Sequence, residues 1–535
     1  MFMLFRYLTV RLSCTLISGV FFLSSCADEN IIYSNYIPSD ASVVISINTE
    51  SIFNAAAFDL LGNNNLFNNL SFGPISNIIQ NPSSAGLKMF STYHLFFVGS
   101  NLLQPKIGAI LPLNDGEDLT DYIEDNFESK IVKKEGFQMA DISENKYLIW
   151  DEHTAIYYSG YPDTNLINES KILCSQKDKN TLEKIDTSFS FALNSNSHIS
   201  VWVKNNAINK LAGQGLLLLE DFNLINRPLN KRDTSLKGKT VFLTNFNKGN
   251  ISIKQRKFIN SDKYQEKNNL IKENNLASIV AKTVPENPTL LINTFVNFKD
   301  LIEIFNLLNL DKDWHKQRSN LPFLPDLNQL GDYFQGDVMV HIDGVQEITK
   351  AKQIPDIDEE GNDILVTKDV IEKKIDLSLG LLVKDSLRFN FLVNLLGSNL
   401  PKTDGFFNYN DEVYFCTKEN NFFITTTRKG VKYLNEMNGE LSPNLDSIVA
   451  NYKSVFYVDL ADMLKQFEIL TPQSLGGIDN LKNILFFEKA SKKEGIIEGE
   501  IIIKFKNEDN SFVSILRLIS GLVSTFNPSS SIGIE

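Results

Sequence analysis

Apolar and polar positions alternate in short runs along most of the chain, as in Val43-Val44-Ile45-Ser46-Ile47, Ile199-Ser200-Val201-Trp202-Val203 and Leu377-Ser378-Leu379-Gly380-Leu381. Runs of this length, bounded by Gly, Pro, Asn and Asp and rich in β-branched and aromatic residues, predict strands. A few segments carry a helical period instead. Ile52, Phe53 and Ala56 form one apolar face, and Leu301, Ile302 and Ile304 to Leu308 form another. Further helices are predicted at Leu119 to Phe127 and Phe389 to Leu396.

The pattern repeats after about 250 residues. Ile37-Pro38-Ser39-Asp40-Ala41-Ser42-Val43-Val44-Ile45-Ser46-Ile47-Asn48 and Val284-Pro285-Glu286-Asn287-Pro288-Thr289-Leu290-Leu291-Ile292-Asn293-Thr294-Phe295 each read as a Pro-containing turn feeding a strand. Strands at Leu95 to Val98 and Ile107 to Leu111 answer those at Val338 to Ile342 and Leu377 to Val383. Tyr147 to Trp150 and Ala155 to Tyr158 answer Val413 to Thr417 and Phe422 to Thr426, and Ile199 to Val203 answers Val455 to Asp459. Val241 to Leu243 and Ile251 to Lys254 answer Leu485 to Phe487 and Ile496 to Lys504. The expected fold is α+β: two tandem related halves, 36–275 and 276–535, each a largely antiparallel sheet with a few packed helices. A groove between such halves is the default place for a ligand. The second half alone carries an insertion at about 345–374, where Val345 to Lys350 and Ile364 to Asp369 predict the arms of a hairpin.

One apolar run belongs to neither pattern. Leu12 to Leu23 follows Arg6 and Arg11, as in an export signal. Its length falls well short of the roughly 20 residues a membrane-crossing helix needs. It ends in Leu23-Ser24-Ser25-Cys26, which is similar to the bacterial lipobox. The expectation is a signal peptide over 1–25, a lipid on Cys26, a tether over 26–35, and a protein held on a membrane of the cell envelope without spanning it. Ala27-Asp28-Glu29-Asn30 resembles short acidic signals for the outer face of the outer membrane, and reads equally well as a solvated tether, so both periplasmic and surface-facing placements stay open.

A chain of 535 residues with 43% apolar and 22% charged residues is globular and exceeds one ordinary core. Its net charge of −13 falls to −15 when Arg6 and Arg11 leave with the signal, which argues against a nucleic-acid partner, since phosphate backbones require clustered cations. Cys174 and Cys416 are the two cysteines of the body; lying in different strands of the two halves, they are expected as free buried thiols rather than a disulfide.

Candidate chemistry is thin. Asp356, Asp358, Glu360 and Gly361 imitate the start of an EF-hand loop, but Thr367 stands where the bidentate glutamate belongs, so a hairpin tip is the better account. Asp311-Lys312-Asp313-Trp314-His315 gathers potential ligands without metal spacing, and Asp151-Glu152-His153 sits where two short strands turn back. His94, His198 and His341 fall in no ligand pattern. No catalytic residue, cofactor or metal ligand is assigned.

Ser25-Cys26 followed by Tyr36-Ile37-Pro38-Ser39-Asp40-Ala41 and the strand through Asn48 resembles the opening of the uncharacterised Bacteroidota lipoproteins known as domain of unknown function 4836. That resemblance implies an envelope lipoprotein and no activity. The leading class is therefore a non-catalytic binding or interaction protein, engaging a protein or glycan through the sheet faces, the groove between halves or the hairpin around Gly361. The alternatives are an envelope or glycan hydrolase using paired carboxylates, and a lipid-binding protein. A glycan-capturing lipoprotein paired with a TonB-dependent transporter fits less well, because such proteins are helical and aromatic-lined whereas this chain is strand-rich with three tryptophans.

Overall fold

The computed structural model describes residues 33–61, 82–99, 106–160, 181–205, 238–259, 276–298, 326–357, 363–467 and 480–526, apart from single positions and 492–494 within those spans. The signal, Cys26, the helix expected at 301–308, Asp311 to His315, Gly361 and Cys174 lie outside them.

The described residues form an α+β fold dominated by one antiparallel sheet of twenty strands. The first ten are β1 (Ala41–Asn48), β2 (Thr92–Val98), β3 (Lys106–Pro112), β4 (Val132–Lys134), β5 (Phe137–Ser143), β6 (Lys146–Trp150), β7 (Thr154–Ser159), β8 (Ile199–Lys204), β9 (Gly238–Asn247) and β10 (Asn250–Ile259). The second ten are β11 (Leu290–Phe295), β12 (Phe334–Ile357), β13 (Asp363–Val383), β14 (Lys402–Thr403), β15 (Phe406–Tyr409), β16 (Val413–Lys418), β17 (Asn421–Thr425), β18 (Ser454–Asp459), β19 (Leu481–Ala490) and β20 (Ile496–Phe505).

Pairing runs β4-β5-β6-β7-β3-β2-β1-β8-β9-β10 in the first set. It runs β14-β15-β16-β17-β13-β12-β11-β18-β19-β20 in the second, which is the same order position by position. The two sets meet edge to edge, β10 against β20 from Asn250↔Lys504 to Phe258↔Ile496, so neither strand is left with an open edge along that stretch.

The helices are α1 (Thr49–Leu61), α2 (Gly116–Asn126), α3 (Leu182–Ile185), α4 (Thr187–Leu193), α5 (Ala277–Thr283), α6 (Leu327–Tyr333), α7 (Ser386–Gly397), α8 (Arg428–Glu436), α9 (Pro443–Asn451), α10 (Leu460–Phe467) and α11 (Ser511–Phe526). Alternation sends Val44, Phe96, Ile110, Trp202 and Val241 to one face, where Phe189 and Ala192 of α4 cover them. Leu291, Met339, Phe423, Tyr457 and Leu485 form the matching core of the second set, under α5, α8 and α9. On the opposite face, α1 and α11 bridge the seam: Ile52 and Phe512 pack with Phe246, Ile251 and Phe505, a cluster that draws on both sets.

One sequence assignment needs correction. Phe53 does not share the buried face of α1 with Ile52 and Ala56; it is exposed and sets its ring 5.0 Å from that of Phe90. Ile52 and Ala56 are four apart and lie on one line, whereas Phe53 is turned about 100° from Ile52.

Candidate functional site

The seam is where a ligand between halves would sit. A shallow cleft of about 240 Å³ lies there, lined by residues that include Phe191, Leu243, Tyr452 and Phe487. That is below the roughly 300 Å³ at which small-molecule pockets begin. Two of its cations are already engaged. Arg256 donates to Glu498 at 2.6 Å while its guanidinium rests 4.2 Å above the Phe191 ring, and the Lys489 ammonium lies 4.7 Å from the Tyr452 ring. The cleft therefore offers little to a ligand.

The hairpin is more informative. β12 pairs with β11 as far as Ile342, and β13 pairs with β17 as far as Ser378. From Val345↔Ile375 to Ile357↔Asp363 the two strands pair only with each other, a ribbon about 40 Å long at strand rise, whose lower part is tied to the β15–β16 turn by Lys350 to Glu412 and by Lys374 to the Asp411 carbonyl. The observed arm is longer than the strands expected at Val345 to Lys350 and Ile364 to Asp369: β12 continues past Lys350 to Ile357 toward the tip, and β13 continues past Asp369 to Ile375 toward the sheet. One face of the ribbon carries Lys350, Lys352 and Glu372 in ion pairs, a charge pattern that discourages addition of a further strand. The other face exposes Leu365, Ile371 and Ile375.

The root of the arm is clamped. A bulge between Ile342 and Val345 contains Gly344 at φ +106°, where a Cβ would stand 2.1 Å from Oε1 of Gln466. That oxygen accepts from the Val345 amide at 2.6 Å, and Nε2 of Gln466 donates to Asp462 at 2.6 Å, so α10 holds the bulge. On the other side Lys429 of α8 pairs with Asp343 and comes within 4.0 Å of Asp376. Asp376 also accepts from Thr427 and, at 3.1 Å, from Gln346. Burial raises the Asp376 pKa above the ordinary carboxylate value and Asp343 adds to it, against the opposing bonds and the Lys429 charge.

His341, opposite Ser378 and Leu291, is buried with both ring nitrogens unpartnered, and burial followed by the Lys429 charge lowers its pKa to about 4. Among the described residues, no group of three His, Cys, Asp or Glu could hold a metal ion.

The other sequence candidates are placed as follows. Asp151 accepts from the amides of His153 and Thr154 and shapes the β6–β7 turn, while His153 and Glu152 are exposed and 3.9 Å apart. Nδ1 of His94 shares a hydrogen bond with the Ser46 hydroxyl at 2.8 Å, and Nδ1 of His198 accepts from the Phe246 amide. Cys416 is a free, buried cysteine. Asp356 lies at the end of β12, with 358–362 outside the described residues. Sequence reading marked the hairpin but not its root, because Asp343, Asp376 and Lys429 converge only through the sheet register. No described helix is long and apolar enough to cross a membrane.

Two crystal structures of TP0453 align with the chain. Crystal form III does so at 12% identity and a TM-score of 0.29, covering 46% of this chain and 88% of that one. Crystal form I does so at 9% identity and a TM-score of 0.16, covering 76% of this chain and 97% of that one. Scores at that level do not establish a common fold. No family model and no curated protein matches the chain.

Proposed function

We propose that this protein is a non-catalytic interaction protein of the cell envelope, anchored by a lipid on Cys26, and that the β12–β13 arm is its docking element. The arm carries the reading. A two-stranded ribbon of about 40 Å adds nothing to the core and still presents Leu365 and Ile371 at 65% and 64% exposure. Its root is rigidly held by α8 and α10 through Lys429 and Gln466, as suits an element that must present a surface. The shared strand order of β1–β10 and β11–β20 supports a duplicated body in which only the second copy gained the arm.

Position-specific photocrosslinking in intact cells tests this. Crosslinkers at Leu365 and Ile371 should yield the same discrete adduct, while one at Val132, exposed on β4, should not. Adducts at all three positions, or at none, would reject the arm as a docking element. Metabolic labelling with a fatty-acid probe tests the anchor separately: failure of the native protein to take up the label, or equal uptake by a Cys26→Ala variant, would reject the lipid on Cys26.

A further inference from the structure

Helix α7 is apolar on both sides. Phe389 and Val393 are buried against Val383 and Phe407, while Leu387, Phe391 and Leu395, each four residues on from the last, are 84%, 71% and 40% exposed. A helix apolar on opposite sides belongs in an interior, yet no described residue covers the second apolar face of this one.

The fold does not demand that face. α2 occupies the matching position in the first set, following β3 as α7 follows β13. It buries Leu119 and Ile123 and turns Glu117, Asp118, Asp121, Glu124 and Asp125 to solvent. In α7 the acidic face is replaced by an apolar stripe, and cations flank it. Lys384 precedes the helix and is exposed; Lys402 follows it, exposed and 4.4 Å from the Phe407 ring; Arg388 lies within it, 3.5 Å from Asp385.

We infer that α7 rests in the interfacial layer of an anionic bilayer, with Leu387, Phe391 and Leu395 among the acyl chains and Lys384, Arg388 and Lys402 toward the headgroup phosphates. Long basic side chains reach headgroups while their neighbours sit deeper, and apolar burial and headgroup attraction add for a helix lying in the surface. A second copy of the chain is the poorer occupant. Three side chains fall far short of the roughly 800 Å² per partner of a stable protein interface. This contact is separate from the arm and does not require it.

The test places a polarity-sensitive fluorescent amino acid at position 391 in place of Phe391, with the same residue in place of Asp121 on α2 as reference, in the full chain. The protein is reconstituted in phosphatidylglycerol/phosphatidylethanolamine vesicles with brominated acyl chains. The label at 391 should shift to the blue and be quenched about twofold or more, with no change at 121. Quenching should weaken in phosphatidylcholine alone, and Leu387→Ser with Leu395→Ser should remove it. Because the label reads position rather than retention, the result does not depend on how the amino-terminal end is held. Absence of quenching at 391, equal quenching at both positions, or a blue shift without quenching that grows with protein concentration would each overturn the inference; the last would mark a second copy instead.

Discussion

Acid should weaken this protein through His341. In the unfolded chain the imidazole takes a proton near 6.5, whereas in the folded protein burial, with the Lys429 charge added, delays uptake to about 4. Between those values the unfolded state binds more protons, so stability is full above about 6.5 and is lost as pH falls toward 4. At about pH 5 the difference of some 1.5 units corresponds to roughly 2 kcal/mol. The variant His341→Leu removes the titrating group and the two unpartnered nitrogens. It should therefore be about 1–3 kcal/mol more stable than the native chain near neutral pH. It should also lose about 2 kcal/mol less than the native chain between about pH 7.5 and pH 5. His94, whose burial likewise lowers its pKa to about 4, remains in both proteins and cancels. Asp376, with its raised pKa, works in the opposite direction and is also common to both. Urea unfolding followed by tryptophan fluorescence at the two pH values measures this. Equal acid losses in the two proteins, within about 0.5 kcal/mol, would refute the assignment of a buried neutral imidazole.

Three further outcomes are expected. Gly344→Ala should cost about 1–3 kcal/mol and speed hydrogen exchange at the Val345 amide, because the added methyl meets Gln466 Oε1 at a backbone φ of +106°; unchanged exchange would show that α10 does not clamp the arm. Trp202→Phe should cost about 1–3 kcal/mol in thermal or urea unfolding, since a fully buried indole donates to Ser188 Oγ at 2.8 Å; a cost below about 0.5 kcal/mol would contradict that packing. The Cys416 thiol, pushed up to about 12 by burial, should resist alkylation in the native protein at mildly alkaline pH and react once unfolded, read by mass spectrometry; ready native labelling would place it at the surface.

Much of the architecture was legible in the chain itself. Alternation at Val43 to Ile47 and Val455 to Asp459 marks strands because a pleated sheet with one face in a core needs apolar residues at every second position. The arm was legible for a related reason: two charged, alternating runs flank a turn-rich tip, with no matching segment between β2 and β3. Predicted helices at Leu119 to Phe127 and Phe389 to Leu396 lie within a few residues of α2 and α7, whose Asp115 and Asp385 accept hydrogen bonds from the first turn. The helices α3 to α6 and α8 to α10 went unmarked, since four to nine residues of helical period are easily confused with strand or loop, and the sixteen-residue α11 went unmarked as well.

What the sequence determined by itself is local: where strands and helices run, and which side of each is apolar, because both depend on neighbours a few residues away. Only the tertiary structure decided that β10 meets β20, which joins two sets of strands into one sheet without a wide groove. It also decided that Asp343, Asp376 and Lys429 gather at the root of the arm, and that the described residues leave Leu387 and Phe391 of α7 uncovered. Contacts between residues tens or hundreds of positions apart depend on register and helix placement. An apolar residue reads the same in sequence whether the fold covers it or leaves it bare.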